Sequence, residues 1–263
     1  MSSGTLTSGS WLLWPAPCAK PKARLFCFPH AGVGASVYRL WPRGLPDYLE
    51  VCAVQPPGRE SRLREPALAS IPELVRSVLP ALMCHLDLPF AFFGHSMGAV
   101  VATEVARALT ENGGPAPSHL IVSARRPPHI PGLDSPLHPL PDSSFLAEIQ
   151  RRYGGIPAEV MRHADLMALL LPCLRADIRA LETHRPPPRP PLTCPISAFG
   201  GSDDRLTPRD HLDAWRQETS STFRVRVFSG GHFYLDARRT EVLADIASIL
   251  APLSRARPRE ISA

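Results

Sequence analysis

Residues 89–109 read PFAFFGHSMGAVVATEVARAL. An apolar run, FAFF, leads into Gly94-His95-Ser96-Met97-Gly98, and an Ala- and Val-rich segment follows. A G-x-S-x-G pattern alone is weak, since at ordinary Gly and Ser usage chance produces one in roughly a tenth of chains this long. Its setting strengthens it. A serine nucleophile raised at the top of a sheet needs a strand before it and a helix after it, and this stretch offers both. Glycines on either side relieve a strained turn of Cβ clashes, so the turn can lift the hydroxyl away from the sheet. The plain alternative is a glycine turn with a capping serine.

Outward from this stretch, short apolar runs alternate with helix-like segments. Strands are expected at 24–28, 49–54, 90–93, 120–123, 196–199 and 223–228, and helices at 99–109 and 241–250. Residues 71–86 carry helical spacing in Leu74, Val75, Val78, Leu79 and Leu82, although Pro80 argues against an unbroken helix. Strands alternating with helices imply an α/β fold, a mostly parallel sheet covered on both faces. Between 127 and 191 the alternation stops, and apolar helical stretches at 145–149 and 166–171 read as a helical lid insertion. The expected division is an extension at 1–23, a core at 24–126 and 192–252, the lid at 127–191, and a flexible tail at 253–263. Prolines, 31 in all, gather at 115–141 and 186–195, as in RPPPRPPLTCP, and mark loops that act as hinges or ties.

A serine hydroxyl is a poor nucleophile without a base. Ten histidines compete for that role. His95 adjoins Ser96, so the turn directs it elsewhere. His232, in SGGHFYLD after the last expected strand, fits the Ser, acid, His order of such hydrolases. The acid is expected in FGGSDDRLTP after the preceding strand, where Asp203 and Asp204 both stand; the GxxD spacing from Gly201 favours Asp204. The oxyanion donors are expected to be the backbone N–H groups of Met97, at the start of the helix, and Ala31, in the glycine-bearing loop FPHAGVGAS. His30 in that loop has a shaping role or a purely structural one.

The chain has 263 residues with 44% hydrophobic and 20% charged, ordinary for a globular protein with a sizeable core. Six cysteines form no CxxC pair, and Cys27 and Cys52 lie in apolar runs as buried thiols, so no metal site is expected. The first residues, MSSGTLTSGSWLLWPAP, lack a basic stretch and a long apolar core, and no run approaches the roughly 18 residues of a membrane span. A cytoplasmic monomer away from membranes is expected. Net charge is +5, but the arginines are scattered rather than massed, which disfavours nucleic acid as a partner.

Six segments then appear together in one order: LFCFPHAGVGAS, VQPPGRESRLREP, FAFFGHSMG, LRADIRALE, FGGSDD with DAWRQET, and SGGHFYLD. In these the chain resembles the type II thioesterases, stand-alone α/β-hydrolases that accompany polyketide and nonribosomal peptide synthases. The vertebrate chain-terminating thioesterase of fatty-acid synthesis is a relative of the same group. The resemblance implies hydrolysis of acyl thioesters held on the phosphopantetheine of carrier protein domains, with no cofactor of the enzyme's own, and an editing role against misprimed or stalled units. It carries Ser96 over as nucleophile, His232 as base, Asp204 as acid, and Met97 and Ala31 as oxyanion donors. The acid loop reads DDRLT where the family often has proline after the aspartate. Carrier proteins are generally acidic, so Arg59, Arg62 and Arg64 are a candidate docking patch, or else ordinary surface arginines. A carboxylesterase or lipase, a fatty-acid chain-terminating thioesterase, and an inactive carrier-binding module are the rival readings.

Overall fold

The structure, a computed structural model, describes residues 10–132, 135–156 and 158–255. Its centre is a sheet of seven strands: β1 (Leu12–Leu13), β2 (Ala23–Phe28), β3 (Leu49–Val54), β4 (Phe90–His95), β5 (His119–Ser123), β6 (Ile196–Gly201) and β7 (Phe223–Phe228). They lie in the order β1-β3-β2-β4-β5-β6-β7. All neighbours run parallel except β1 against β3. The expected α/β fold is therefore the observed one. The segment 1–23, set apart from sequence as an extension, supplies β1, and Ala23 opens β2. A two-residue strand has no periodicity to detect, so only its pairing reveals it.

Strand position explains strand composition. All six residues of β4 are buried, because helices cover both faces, and the strand reads as an unbroken apolar run. Strand β7 lies at the sheet edge and alternates, with Arg224 and Arg226 facing water. On one face pack α1 (Ile71–Met83) and α2 (Met97–Glu111), through Leu74, Val78, Leu82, Val101 and Val105. The other face is covered by Tyr38, Trp41 and the last helix. Deleting one of these side chains, as in Leu82→Ala, is expected to cost about 2–5 kcal/mol.

Helix α1 runs through Pro80 without a break, contrary to the sequence expectation. The proline removes the bond to the Arg76 carbonyl, and both residues are exposed, so water can serve that carbonyl. After β5 come α3 (Asp142–Arg152), α4 (Ala158–Arg162) and α5 (Ala164–Thr183). They hold a small core of their own, Leu137, Phe145, Ile149 and Ile178. Helix α5 likewise tolerates Pro172, whose i−4 residue Ala168 is exposed. The proline-rich segment after α5 is tied down: Arg189 grips Glu104 of α2 at 2.6 and 2.7 Å, and Arg107 donates to the Pro190 carbonyl at 2.7 Å. The chain ends its described part with α6 (Arg209–Asp213), α7 (Tyr234–Ala237), α8 (Arg239–Leu250) and a 3-10 turn, Ala251–Arg255. Of the expected tail, residues 256–263 lie outside the described residues.

Candidate active site

Ser96 stands between the end of β4 and the start of α2, at φ 54° and ψ −112°. That conformation is unfavourable for a residue with a Cβ and persists only where the surroundings enforce it. Here they do. The Ser96 N–H donates to the Ser123 carbonyl at 2.8 Å. A Cβ on Gly94 would lie 2.1 Å from the Gly98 carbonyl oxygen, and one on Gly98 would lie 2.0 Å from that of Phe28. Both glycines are thus required by close backbone approach. Met97 occupies the first helical position, so its N–H has no acceptor within α2 and sits at the positive end of the helix dipole.

His232 lies between β7 and α7, with Nε2 3.1 Å from Ser96 Oγ. Its Nδ1 is 2.9 Å from Asp204 Oδ2. The other oxygen of Asp204 accepts from the Leu206 N–H at 3.0 Å, which fixes the carboxylate. The adjacent Asp203 is exposed, and among the described residues its carboxylate accepts only from the Ser202 hydroxyl, at 3.0 Å. The turn after β6 therefore sends one aspartate inward and its neighbour to solvent. Tyr153, at the end of α3, and Phe233 pack their rings against His232, with centroids 5.4 and 5.0 Å away.

His95 points away from the serine hydroxyl and into the protein. Its Nδ1 is hydrogen-bonded to Ser123 Oγ at 2.8 Å, and Ser123 is in turn bonded to the Tyr234 hydroxyl at 2.6 Å. Burial, reinforced by the neighbouring His232 and His30, holds its pKa well below the ordinary imidazole value. His30 is pulled down to about 4, chiefly by burial. Its ring packs between His95 and Phe233, at 5.8 and 4.9 Å.

The loop that carries Ala31 is held by side chains from two distant segments. Asp177 of α5, fully buried, accepts the Gly32 N–H at 2.7 Å. The same carboxylate takes Arg59 through both guanidinium nitrogens, at 2.5 and 2.9 Å. Glu60 accepts from the Gly34 and Ser36 N–H groups at 3.1 and 3.2 Å, and Gln55 accepts from Ala35 N–H at 2.9 Å. This resolves the segments PGRESR and LRADIRALE into one device, and it corrects the arginine patch. Arg59 is 2% exposed and Arg62 6%. Arg62 pairs with Glu65 and stacks over Trp11, 4.4 Å from the ring centre. Only Arg64 of the three faces solvent. Partners up to 118 residues away cannot be read from local pattern, which is why these arginines looked like surface.

An apolar cavity of about 170 Å³ opens beside Ser96 and His232. Ala31 and Gly32 line it together with Ile149, Met167, Leu170 and Leu174 of the helical segment. A family profile described as thioesterase domain matches residues 23–250. The chain belongs to the thioesterase family. Thioesterase PikA5 of Streptomyces venezuelae is 41% identical over 244 residues, spanning 92% of this thioesterase and 86% of its own chain. A relative named linear gramicidin dehydrogenase LgrE, from Brevibacillus parabrevis, is 38% identical over 253 residues, spanning 95% and 96%. The structure of BorB, a type II thioesterase from the borrelidin biosynthetic cluster, superposes with a TM-score of 0.84 at 36% identity, covering 94% of this thioesterase and all of BorB. The dehydrogenase name has no counterpart in the Gly32-Val33-Gly34 loop of this thioesterase. Val37 stands where a dinucleotide-binding fingerprint needs its third glycine, and a 3-10 turn follows instead of an α-helix.

Proposed function

We propose that this thioesterase clears acyl groups from the phosphopantetheine arms of carrier protein domains, acting as an editing enzyme for a polyketide or nonribosomal peptide synthase. The observation that carries the reading is the continuous hydrogen-bonded line Ser96–His232–Asp204 at the wall of an apolar cavity. Similarity to PikA5 and BorB supports the synthase setting.

In this reading Ser96 Oγ attacks the thioester carbonyl as His232 Nε2 takes its proton. The carbonyl oxygen gains charge and is met by the N–H groups of Met97 and Ala31. The C–S bond breaks, and the thiol leaves with the proton from His232. Water then attacks the acyl-serine as His232 takes a proton from it, Ser96 recovers its own, and the free acid departs. Asp204 holds the imidazole in the tautomer with Nδ1–H and balances its transient charge. No cofactor enters these steps. Residues 127–191 serve as the lid over the acyl cavity, and residues 24–126 with 192–252 as the catalytic core. The cavity lies below the roughly 300–1,000 Å³ of sites for drug-sized ligands, so short acyl units fit it best.

Two measurements test this. Wild type and Ser96→Ala are incubated with acyl-carrier protein and with the matched oxygen ester. Faster turnover of the carrier thioester, abolished in the variant, is the expected result; preference for the oxygen ester would sink the editing role. Asp204→Asn is expected to lower kcat by roughly 10⁴-fold and Asp203→Asn by less than about twofold. Equal losses in the two variants would return the acid assignment to open choice.

A further inference from the structure

A second cavity, of about 210 Å³, adjoins His232 on the side of β5 and β6. It shares Tyr153, Ile178, Leu181 and His232 with the apolar cavity, so the two meet at the base. Its chemistry is different. Arg125, Arg126, Arg152 and Arg185 line it, and Glu182 is its single carboxylate among the described residues. That carboxylate is already engaged by the N–H groups of Leu137 and His138 and by the His138 ring, at 2.7, 3.0 and 2.7 Å.

Elsewhere this protein gives its buried and half-buried arginines a carboxylate. Arg59 has Asp177, Arg107 has Glu218, Arg62 has Glu65 and Arg24 has Glu50. Arg125 departs from the pattern: among the described residues its guanidinium has no ion pair and no hydrogen bond, while its backbone is pinned by Trp215 Nε1 donating to its carbonyl at 2.7 Å. Burial and the neighbouring Arg126 push its pKa down to about 10, so it still carries charge at neutral pH. Among the described residues, Arg126 makes only a 3.2 Å bond to the Ile130 carbonyl, and Arg185 only a 2.8 Å bond to that of His184. A desolvated guanidinium without a counter-charge is costly, and an entering anion removes that cost.

We propose that this cavity binds an anionic oxygen group of the substrate, a phosphate or a carboxylate, with Arg125 as its principal partner and Arg126 and Arg185 beside it. The inference rests on the thioesterase reading of Ser96 and His232. The leaving sulfur must pass next to His232 to receive its proton, and the basic cavity begins there. Two sources carry such a group: the phosphate of the carrier arm, and a carboxylate on the acyl unit itself.

Three thioesters separate the sources: butyryl-pantetheine, which is neutral, butyryl-4′-phosphopantetheine, and succinyl-pantetheine. The readout is the ratio of kcat/KM for each anionic substrate to that for the neutral one. Wild type is expected to favour at least one of them about tenfold or more, with the preference shrinking as salt is raised. A preference for the phosphorylated substrate assigns the site to the arm, and one for the succinyl substrate assigns it to the acyl group. Arg125→Gln is expected to bring the ratio close to one, and Arg125→Lys, which keeps charge but loses the planar fork, to leave part of it. Ratios near one in wild type, or ratios unchanged by Arg125→Gln, would overturn the proposal. Calorimetry of 4′-phosphopantetheine, pantetheine and succinate with Ser96→Ala gives a reading independent of turnover; equal binding of all three, or of none, would also overturn it. Absence of any hydrolysis of the neutral substrate counts against the thioesterase mechanism and leaves the binding comparison standing.

Discussion

The elbow at 94–98 and the loop at 30–36 face each other across Ser96, yet they are held by opposite kinds of force. The elbow is fixed by lack of space. Its glycines stand so close to the backbones of Gly98 and Phe28 that a single Cβ would overlap them at about 2.0–2.1 Å. The loop is fixed by polar side chains reaching its N–H groups, from Gln55, Glu60 and, across 145 residues, Asp177. A steric clamp has one arrangement. A polar clamp has as many arrangements as its partners, and one partner here belongs to α5, which also lines the apolar cavity through Leu174 and Ile178. Ser96 is therefore tied to the sheet, whereas the loop carrying Ala31 is tied to a helix that lines the apolar cavity.

The largest effect expected from this contrast is at Gly98. Gly98→Ala sets a methyl group against the Phe28 carbonyl with no flexible side chain to yield, so a loss of about 3 kcal/mol or more is expected by chemical denaturation. Wild-type stability and activity in Gly98→Ala would break the comparison at its steric end.

At the polar end, removing one partner of the buried pair should cost nearly as much, but by another route. Asp177→Asn leaves Arg59 charged, buried and without its counter-charge, a situation worth about 3–5 kcal/mol. The double variant Arg59→Met with Asp177→Leu removes both charges and should regain most of that stability, since apolar replacement of a buried pair is often neutral. It does not restore the Asp177 bond to Gly32 N–H. Stability near wild type with kcat lowered about 10–100-fold is expected, because the loop then sits less well defined beneath the oxyanion. Full activity in the double variant would show that the polar clamp serves folding alone.

This same contrast explains what was legible from sequence. The elbow is a local object: strand, glycines, serine and helix lie within 21 consecutive residues, and their pattern states the steric requirement directly. The meeting of His232 and Asp204 beside Ser96 was legible because chain order after β6 and β7 limits which side chains can reach the elbow. The roles of Arg59 and Arg62 were not, since a buried arginine and an exposed one look alike until the partner is found. Strand β1 was missed because two residues carry no period, and the course of α1 through Pro80 because exposure of the freed carbonyl at Arg76 is a tertiary fact. The basic cavity escaped notice for a related reason: Arg125 and Arg126 adjoin in sequence, but Arg152 and Arg185 reach the same space from separate segments.

The smallest effect expected lies where elbow and loop touch. His30 of the loop packs on His95 of the elbow, and burial keeps both imidazoles below their ordinary pKa, His30 at about 4. The unfolded chain takes up protons at these positions as pH falls below about 6.5, whereas the folded chain does not until about 4 at His30. Stability is thus fully present above about pH 6.5 and declines as pH drops through that window, since the unfolded state binds more protons there. Denaturation at pH 7 and pH 4.5 is expected to show this decline, and His30→Gln, which cannot titrate, should make it shallower. Were the decline equally steep in His30→Gln, the acid sensitivity would belong to other buried imidazoles, His95 itself or His119, which burial also holds at about 4 on the far end of β5. That outcome would mean that His30, on the polar-clamped side of the contact, adds little to the acid sensitivity of the site.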